Sequence, residues 1–381
     1  MELPIEILEI VINYLDNDTK IKFIKSKCII PKLIHFIKCK SLNNINNFIN
    51  LRELDCSKCY ITNFKLLEKL HNLKKLDISN NYNNNISTIN LPSSIIELDC
   101  KFCNIKDFKF LEKLLNLKKL DISNNYNNNI STINLPSSII ELDCSDSNTE
   151  DFKFLEKLIN LKKLNISCNN NRNISYIKLP SSIIELYCKF CDIKDFKFLQ
   201  NLINLKKLNI SCNNNRNISY IKLPSSIIEL DCKFCNVEDF KFLENLNNLK
   251  KLNISRNENS NISSINLPSS IIELYCKFCN IEDFKFLEKL NNLKKLNISR
   301  NENSNISSIN LPSSIIELDC KFCNIEDFKF LEKLNNLKKL NISRNKNSNI
   351  SSINLPSSII ELYCKFCNIE DFKFLENLNN F

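Results

Sequence analysis

The chain has 381 residues, no Gly and no Trp, and 52 Lys and Arg against 43 Asp and Glu, a formal charge of +9. Without Gly, neither a phosphate-cradling loop nor a dinucleotide fingerprint can form, because both need the backbone to approach a phosphate closely. The positive charge comes from Lys spread along the chain rather than from a basic block, which argues against a nucleic-acid partner, and no apolar run approaches the ~20 residues that span a bilayer.

The first six residues, Met1-Glu2-Leu3-Pro4-Ile5-Glu6, lack the basic start of a secretory signal, so the protein is expected in the cytoplasm. Pro4 begins a stretch with Ile7, Leu8, Val11, Tyr14 and Leu15 at helical spacing, and Asp16 or Asp18 can cap a second helix carrying Ile21 and Ile24. On these residues alone, 1–40 is a helical cap and 41–50 a junction. The run Leu3-Pro4-x-Glu6-Ile7-Leu8-x-x-Val11-x-x-Tyr14-Leu15-Asp16 also resembles the opening of an F-box. That resemblance implies a three-helix module docking on a Skp1-type adaptor, with Leu3, Pro4, Ile7, Leu8, Val11 and Leu15 facing the adaptor.

From Leu51 to Asn380 the sequence repeats every 44 residues, and each unit splits into two 22-residue halves with apolar residues at the same offsets. One half reads Ile95-x-x-Leu98-x-Cys100-x-x-Cys103-x-Ile105-x-x-Phe108-x-x-Leu111-x-x-Leu114, and the next reads Leu117-x-x-Leu120-x-Ile122-x-x-Asn125. Both fit the leucine-rich-repeat pattern L-x-x-L-x-L-x-x-N/C. Eight Cys-bearing and seven Asn-bearing halves make 15 repeats over 51–380. A lone half buries about six apolar side chains at roughly 2 kcal/mol each, against about 1 to 2 kcal/mol of backbone entropy per residue, so stability must come from stacking neighbours. The expected fold is an α/β solenoid, a leucine-rich-repeat horseshoe with a parallel concave sheet and a small N-terminal helical F-box-like segment. Along Glu97-Leu98-Asp99-Cys100-Lys101 alternation points Leu98 and Cys100 inward. Phe108, Leu111 and Leu114 predict a short 3₁₀ or helical turn. Ile130, Ile133, Leu135 and Pro136 read as extended, and Asn runs such as Asn83-Asn84-Asn85 as left-handed turns.

Nineteen Cys include seven C-x-x-C pairs, a zinc-like spacing. The register argues instead for core positions. Cys100 stands where Ile122 stands one half later, Cys103 where Asn125 stands, and Ser147 replaces the second Cys after Cys144. Successive pairs are separated by an Asn-bearing strand, hence by roughly 10 Å, too far to share a tetrahedral ion. No metal or other cofactor is expected.

At the first outward strand position Glu53, Glu97 and their successors alternate with Lys75, Lys119 and theirs, a self-neutralising ladder. The next position runs through Asp143, Tyr187, Asp231, Tyr275, Asp319 and Tyr363. Beyond the strand, Phe234, Phe278, Phe322 and Phe366 alternate with Arg256, Arg300 and Arg344. Aromatic and Arg side chains are the usual anchors of interfaces. Tyr187, Tyr275, Tyr363, Phe234, Phe278, Phe322, Arg256, Arg300 and Arg344 are therefore the candidate partner-binding residues; packing over the rim of the core is their other reading.

Neither His35, in an apolar segment, nor His71, at a loop offset, joins a recurring acid, base and nucleophile, so no enzyme is expected. Phe381 opens what would be a sixteenth repeat, which predicts an exposed edge near Glu361–Cys364 and end-to-end self-association. The whole arrangement, with its Asn, Ile and Lys bias, resembles the F-box and leucine-rich-repeat proteins of amoeba-infecting giant viruses and social amoebae. The resemblance implies a substrate receptor of a cullin-type ubiquitin ligase, in the host cytoplasm if viral, that joins a Skp1-type adaptor to a protein substrate. The alternative is a plain repeat scaffold whose first 40 residues are a cap.

Overall fold

The computed structural model describes residues 15, 19, 36–38, 50–59, 61, 63–82, 86–126, 130–149, 151–169, 172–193, 195–213, 216–258, 262–302, 306–345, 351, 353–369, 373–375 and 378. The chain divides into two units, Met1–Cys191 and Asp192–Phe381.

In the first unit the strands are β1 (Phe36–Lys38), β2 (Glu53–Asp55), β3 (Lys75–Asp77), β4 (Glu97–Asp99), β5 (Lys119–Asp121), β6 (Glu141–Asp143), β7 (Lys163–Asn165) and β8 (Glu185–Tyr187). Each pairs in parallel with the next, and in register, so that Leu76 lies between Leu54 and Leu98. The second unit holds β9 (Lys207–Asn209), β10 (Glu229–Asp231), β11 (Lys251–Asn253), β12 (Glu273–Tyr275), β13 (Lys295–Asn297), β14 (Glu317–Asp319), β15 (Lys339–Asn341) and β16 (Glu361–Tyr363). Its pairing follows the same rule, Leu230 lying between Leu208 and Leu252. The register is forced, because a one-residue slip would turn every strand Leu to solvent and its flanking charges inward.

Behind each sheet the core is laid down in files. Leu98 and Cys100 are buried beneath the strand, and Phe108, Leu111, Leu114 and Leu117 continue the buried path. The Cys-bearing halves return through a 3₁₀ turn such as Lys109–Lys113, as the spacing predicts. It starts on an Asx contact, the Lys109 N–H donating to Asp107 Oδ1 at 2.9 Å. Within it Phe108 and Phe110 pack at a centroid distance of 6.2 Å. Neighbouring repeats are also stitched along the back. Glu112 Oε1 accepts from the Asn134 N–H at 2.9 Å, and Ser138 Oγ donates to the Leu117 carbonyl at 2.8 Å.

Three expectations need correction. The segment 1–40 is not wholly helical: β1 pairs with β2, Phe36 opposite Glu53, only 17 residues apart where later strands are 22 apart. Phe36 and Ile37 favour the extended state, and the pairing covers the edge that β2 would otherwise expose. Thr19 is helical and Leu15 lies half-buried in a bend, whereas Leu3, Pro4, Ile7, Leu8 and Val11 fall outside the described residues. Second, the Asn-bearing halves are not extended throughout, since Ile130–Thr132 forms a short 3₁₀ turn closed by Ile133 N–H donating to Ile130 O at 3.2 Å. Third, left-handed backbone is not reserved for Asn. The turn after each strand places Phe102, Phe190, Phe234, Phe278, Phe322 and Phe366 at φ between 52° and 60°, and Arg256, Arg300 and Arg344 at 59° to 63°. The Asn83-Asn84-Asn85 run lies outside the described residues.

The geometry of that turn explains the third point. Phe234 N–H donates to Ser255 O at 2.9 Å and Arg256 N–H to Lys277 O at 2.9 Å, so the ladder continues past the strand while the chain bends inward. Only a left-handed residue does both, and with no Gly in the sequence the position falls to whatever side chain stands there.

Candidate functional site

The surface available for chemistry consists of the outward sheet face, the rim beyond it, and the thiols beneath. The thiols belong to the fold. Asn125 Oδ1 accepts the N–H groups of Cys103 and Ile105 at 3.2 and 3.0 Å, while its Nδ2 donates to the carbonyls of Cys100 and Ile122 at 2.9 Å each. Cys103 performs the same bridge with one donor, Sγ to Ile78 O at 3.0 Å. Ser147 replaces it with Oγ to Ile122 O at 3.2 Å. Two N–H groups converging on one Asn oxygen also explain why the residue between them, Asn104, is left-handed at φ 54°.

Burial pushes the Cys103 and Cys191 thiols up to about 12, and Cys100 and Cys232 well above their ordinary range. A metal-ligating or nucleophilic sulfur needs the opposite shift, toward the thiolate. Among the described residues no group of three or more His, Cys, Asp or Glu side chains is arranged to hold a metal ion. Likewise, no helix among them is long and apolar enough to cross a membrane.

On the sheet face the charge ladder forms as the offsets predict. In the first unit Lys75 Nζ lies 3.6 Å from Glu53 and 3.7 Å from Glu97, and Lys119 lies 3.1 Å from Glu141. In the second unit Lys251 lies 3.2 Å from Glu273, Lys295 3.1 Å from Glu317 and Lys339 2.8 Å from Glu361. These pairs are well exposed, so each contributes about 0 to 1 kcal/mol.

The second outward position distinguishes the units. In the first it carries Asp55, Asp77, Asp99, Asp121 and Asp143 on consecutive strands. Of this stripe only Asp143 is among the residues singled out from the sequence, although the 22-residue recurrence of Asp from Asp55 onward is its signal. Lys101 bridges Asp99 and Asp121. Burial, with the charges of Asp121 and Asp77, nevertheless raises the Asp99 carboxyl, the Lys101 contact opposing it. The stripe floors a groove of about 440 Å³ running from Glu53 to Asn165.

In the second unit the position is Asn or Asp except on every fourth strand, where Tyr275 and Tyr363 stand, and these two flank a groove of about 270 Å³. Tyr275 donates its hydroxyl to Glu273 at 3.0 Å and lies 5.8 Å below Lys251. Burial and that hydrogen bond push its phenol up to about 12. Burial alone would raise Glu273, but the bonds from Tyr275 and Lys251 outweigh it and lower its carboxyl. Tyr187, in the first unit, makes the matching bond to Glu185 at 3.1 Å beneath Lys163. Tyr363 stays 56% exposed at the edge.

The rim residues are brought together as rings and cations. Arg256 Cζ lies 5.6 Å from the Phe278 centroid, Arg300 4.8 Å from Phe322, and Arg344 5.0 Å from Phe322 and 4.5 Å from Phe366. Phe234 remains exposed. The Arg side chains thus lie over the rings, and both keep surface open to solvent.

The family model for leucine rich repeats (2 copies) matches residues 49–93. No curated protein matches the chain. Among solved structures, an internalin, InlF, from Listeria monocytogenes is 18% identical over 92% of this chain and 86% of its own, with a TM-score of 0.52. The functional domain of InlJ from the same organism, described as including a cysteine ladder, is 17% identical over 86% of this chain and 66% of its own, TM-score 0.57. TLR13, in a complex with ssRNA, is 16% identical over 87% of this chain and 65% of its own, TM-score 0.56. At such identities the likeness is one of fold. Parallel strands recurring every 22 residues, an Asn and Cys ladder under the turns, and these neighbours together show a leucine-rich-repeat fold.

Proposed function

We propose that the protein is a non-enzymatic, cytoplasmic protein-recognition subunit whose segment 1–40 engages a Skp1-type adaptor of a cullin-type ubiquitin ligase and whose repeats hold the protein substrate. The observation that carries the binding half is the outward surface of the second unit. Tyr275, Tyr363 and the Phe and Arg rim residues stand there as exposed or half-exposed anchors on rigid strands and turns. The Tyr275 phenol beside Glu273 is pushed up to about 12, away from the ionised form a nucleophile needs. The ligase half rests on the F-box-like run from Leu3 to Asp16. Co-expression with a Skp1-type protein tests it: the two should co-purify, and Leu3→Ala with Pro4→Ala should abolish the association while leaving the unfolding transition unchanged. Failure of the unaltered chain to associate would overturn the ligase reading and leave the scaffold.

One observation favours the plain scaffold, the pairing of β1 with β2, which is what a cap does for a solenoid. On that reading, deleting residues 1–40 lowers the melting temperature without removing a partner.

A further inference from the structure

The ring and guanidinium rim of the second unit has a geometry more specific than that of a general binding surface. Arg256, Arg300 and Arg344 each sit three residues beyond β11, β13 and β15, in the left-handed turn. The side chains of all three are exposed and make no hydrogen bond or ion pair with the described residues; among these residues their partners are the rings of Phe278, Phe322 and Phe366. A guanidinium laid on a ring keeps its planar edge of N–H donors turned away from that ring, oriented and still unused. Successive Arg residues are two strands apart, a pitch of about 9.6 Å. An extended polyproline II segment rises ~3.1 Å per residue with three residues per turn, so every third side chain returns to one face at about 9.3 Å.

We propose that this rim grips an extended acidic segment of a partner protein, presenting a carboxylate at every third residue, one to each of Arg256, Arg300 and Arg344. The inference rests on the reading of the chain as a protein-recognition module and names the chemistry of its partner. Charge complementarity selects the occupant, and the Arg fork suits a carboxylate through two parallel N–H···O bonds. A single-stranded nucleic acid fits less well. Its bases would need open ring faces, whereas Phe322 has Arg300 and Arg344 over it at 4.8 and 5.0 Å.

Fluorescence anisotropy on the full chain provides the test, with three labelled probes: a peptide carrying Glu at every third position, a peptide of the same composition with its Glu residues in one block, and a single-stranded oligonucleotide. The periodic peptide is expected to bind roughly tenfold tighter than the block peptide and to weaken as salt is raised. Combining Arg256→Gln, Arg300→Gln and Arg344→Gln should weaken it at least about tenfold. Arg300→Lys, which keeps the charge and loses the fork, should fall between. Equal affinity for the two peptides, an unchanged affinity in the triple variant, or tighter binding of the oligonucleotide would overturn the proposal. The Gln variants should retain the adaptor, and Leu3→Ala with Pro4→Ala should retain the peptide, so this idea and the ligase reading fail separately.

Discussion

The most consequential single side chains are the buried Asn residues of the turns. Asn125 serves two N–H groups and two carbonyls belonging to two successive repeats, all away from water. Removing the amide leaves those groups without partners, so Asn125→Ala should cost about 3 kcal/mol in urea unfolding. Cys103→Ser should cost less than about 1 kcal/mol, because Ser147 already makes the corresponding bond to a carbonyl one turn back. A reversed order of the two losses would show that volume rather than hydrogen bonding governs this file. Left-handed residues make the second point at this scale. Lys58 is exposed at φ 57°, and its N–H bonds to Ser79 O as part of the backbone ladder. Lys58→Gly keeps that bond and removes the Cβ penalty, partly offset by the extra freedom of Gly in the unfolded chain, and should gain up to about 1 kcal/mol. A lower unfolding midpoint for this variant would contradict the account.

Strands and turns follow from periodicity far more than from propensity. Each strand is only three residues long, and consecutive strands inside each unit are locked by Leu beneath and by the Glu and Lys ladder above. The ladder keeps register more than it stabilises: Lys295→Ala should change stability by less than about 1 kcal/mol. Lys295→Glu, placing three carboxylates side by side on β12, β13 and β14, should cost measurably more, and equal effects would show the charges to be irrelevant. The strands, the 3₁₀ turns at Lys109–Lys113 and its counterparts, the buried Cys file and the charge ladder were all legible, because each depends on offset alone. What was not legible depends on something other than offset. The strand β1 breaks the 22-residue spacing, so no repeat argument reaches it. The left-handed Phe and Arg residues violate residue preference because the ladder demands that backbone, and no Gly exists to take it. The Asp stripe from Asp55 to Asp143, by contrast, recurs at the 22-residue offset and is legible in the sequence. At β16 the core file opens: Leu362 is half-buried where Leu340 is fully buried, and Ile360 and Tyr363 are 47% and 56% exposed.

For the molecule as a whole, copying one repeat multiplies whatever a single repeat does, and the thiols give that multiplication a pH dependence. Burial raises Cys103, Cys191, Cys235 and Cys323 from 9.0 to about 12, and pushes Cys100, Cys144, Cys232, Cys276 and Cys320 well above their ordinary range. The folded state therefore keeps protons that the unfolded state gives up. Below pH 9 both states hold them, and the thiols leave stability unchanged. Above it the unfolded chain ionises first, and each such thiol removes about 1.4 kcal/mol of stability per pH unit until its folded value is reached. The Tyr275 phenol, also pushed up to about 12, adds in the same direction above its ordinary range. Because both units carry these thiols, the losses accumulate along the chain. Guanidinium midpoints should stay level from pH 7 to pH 8.5 and fall steeply between pH 9 and pH 11, with the fall shallower after Cys100→Val and Cys232→Val. A midpoint unchanged through pH 10.5 would mean that the unfolded thiols are as protected as the folded ones, and that the core of the repeats owes its stability to contacts other than those made here by neutral, buried sulfur.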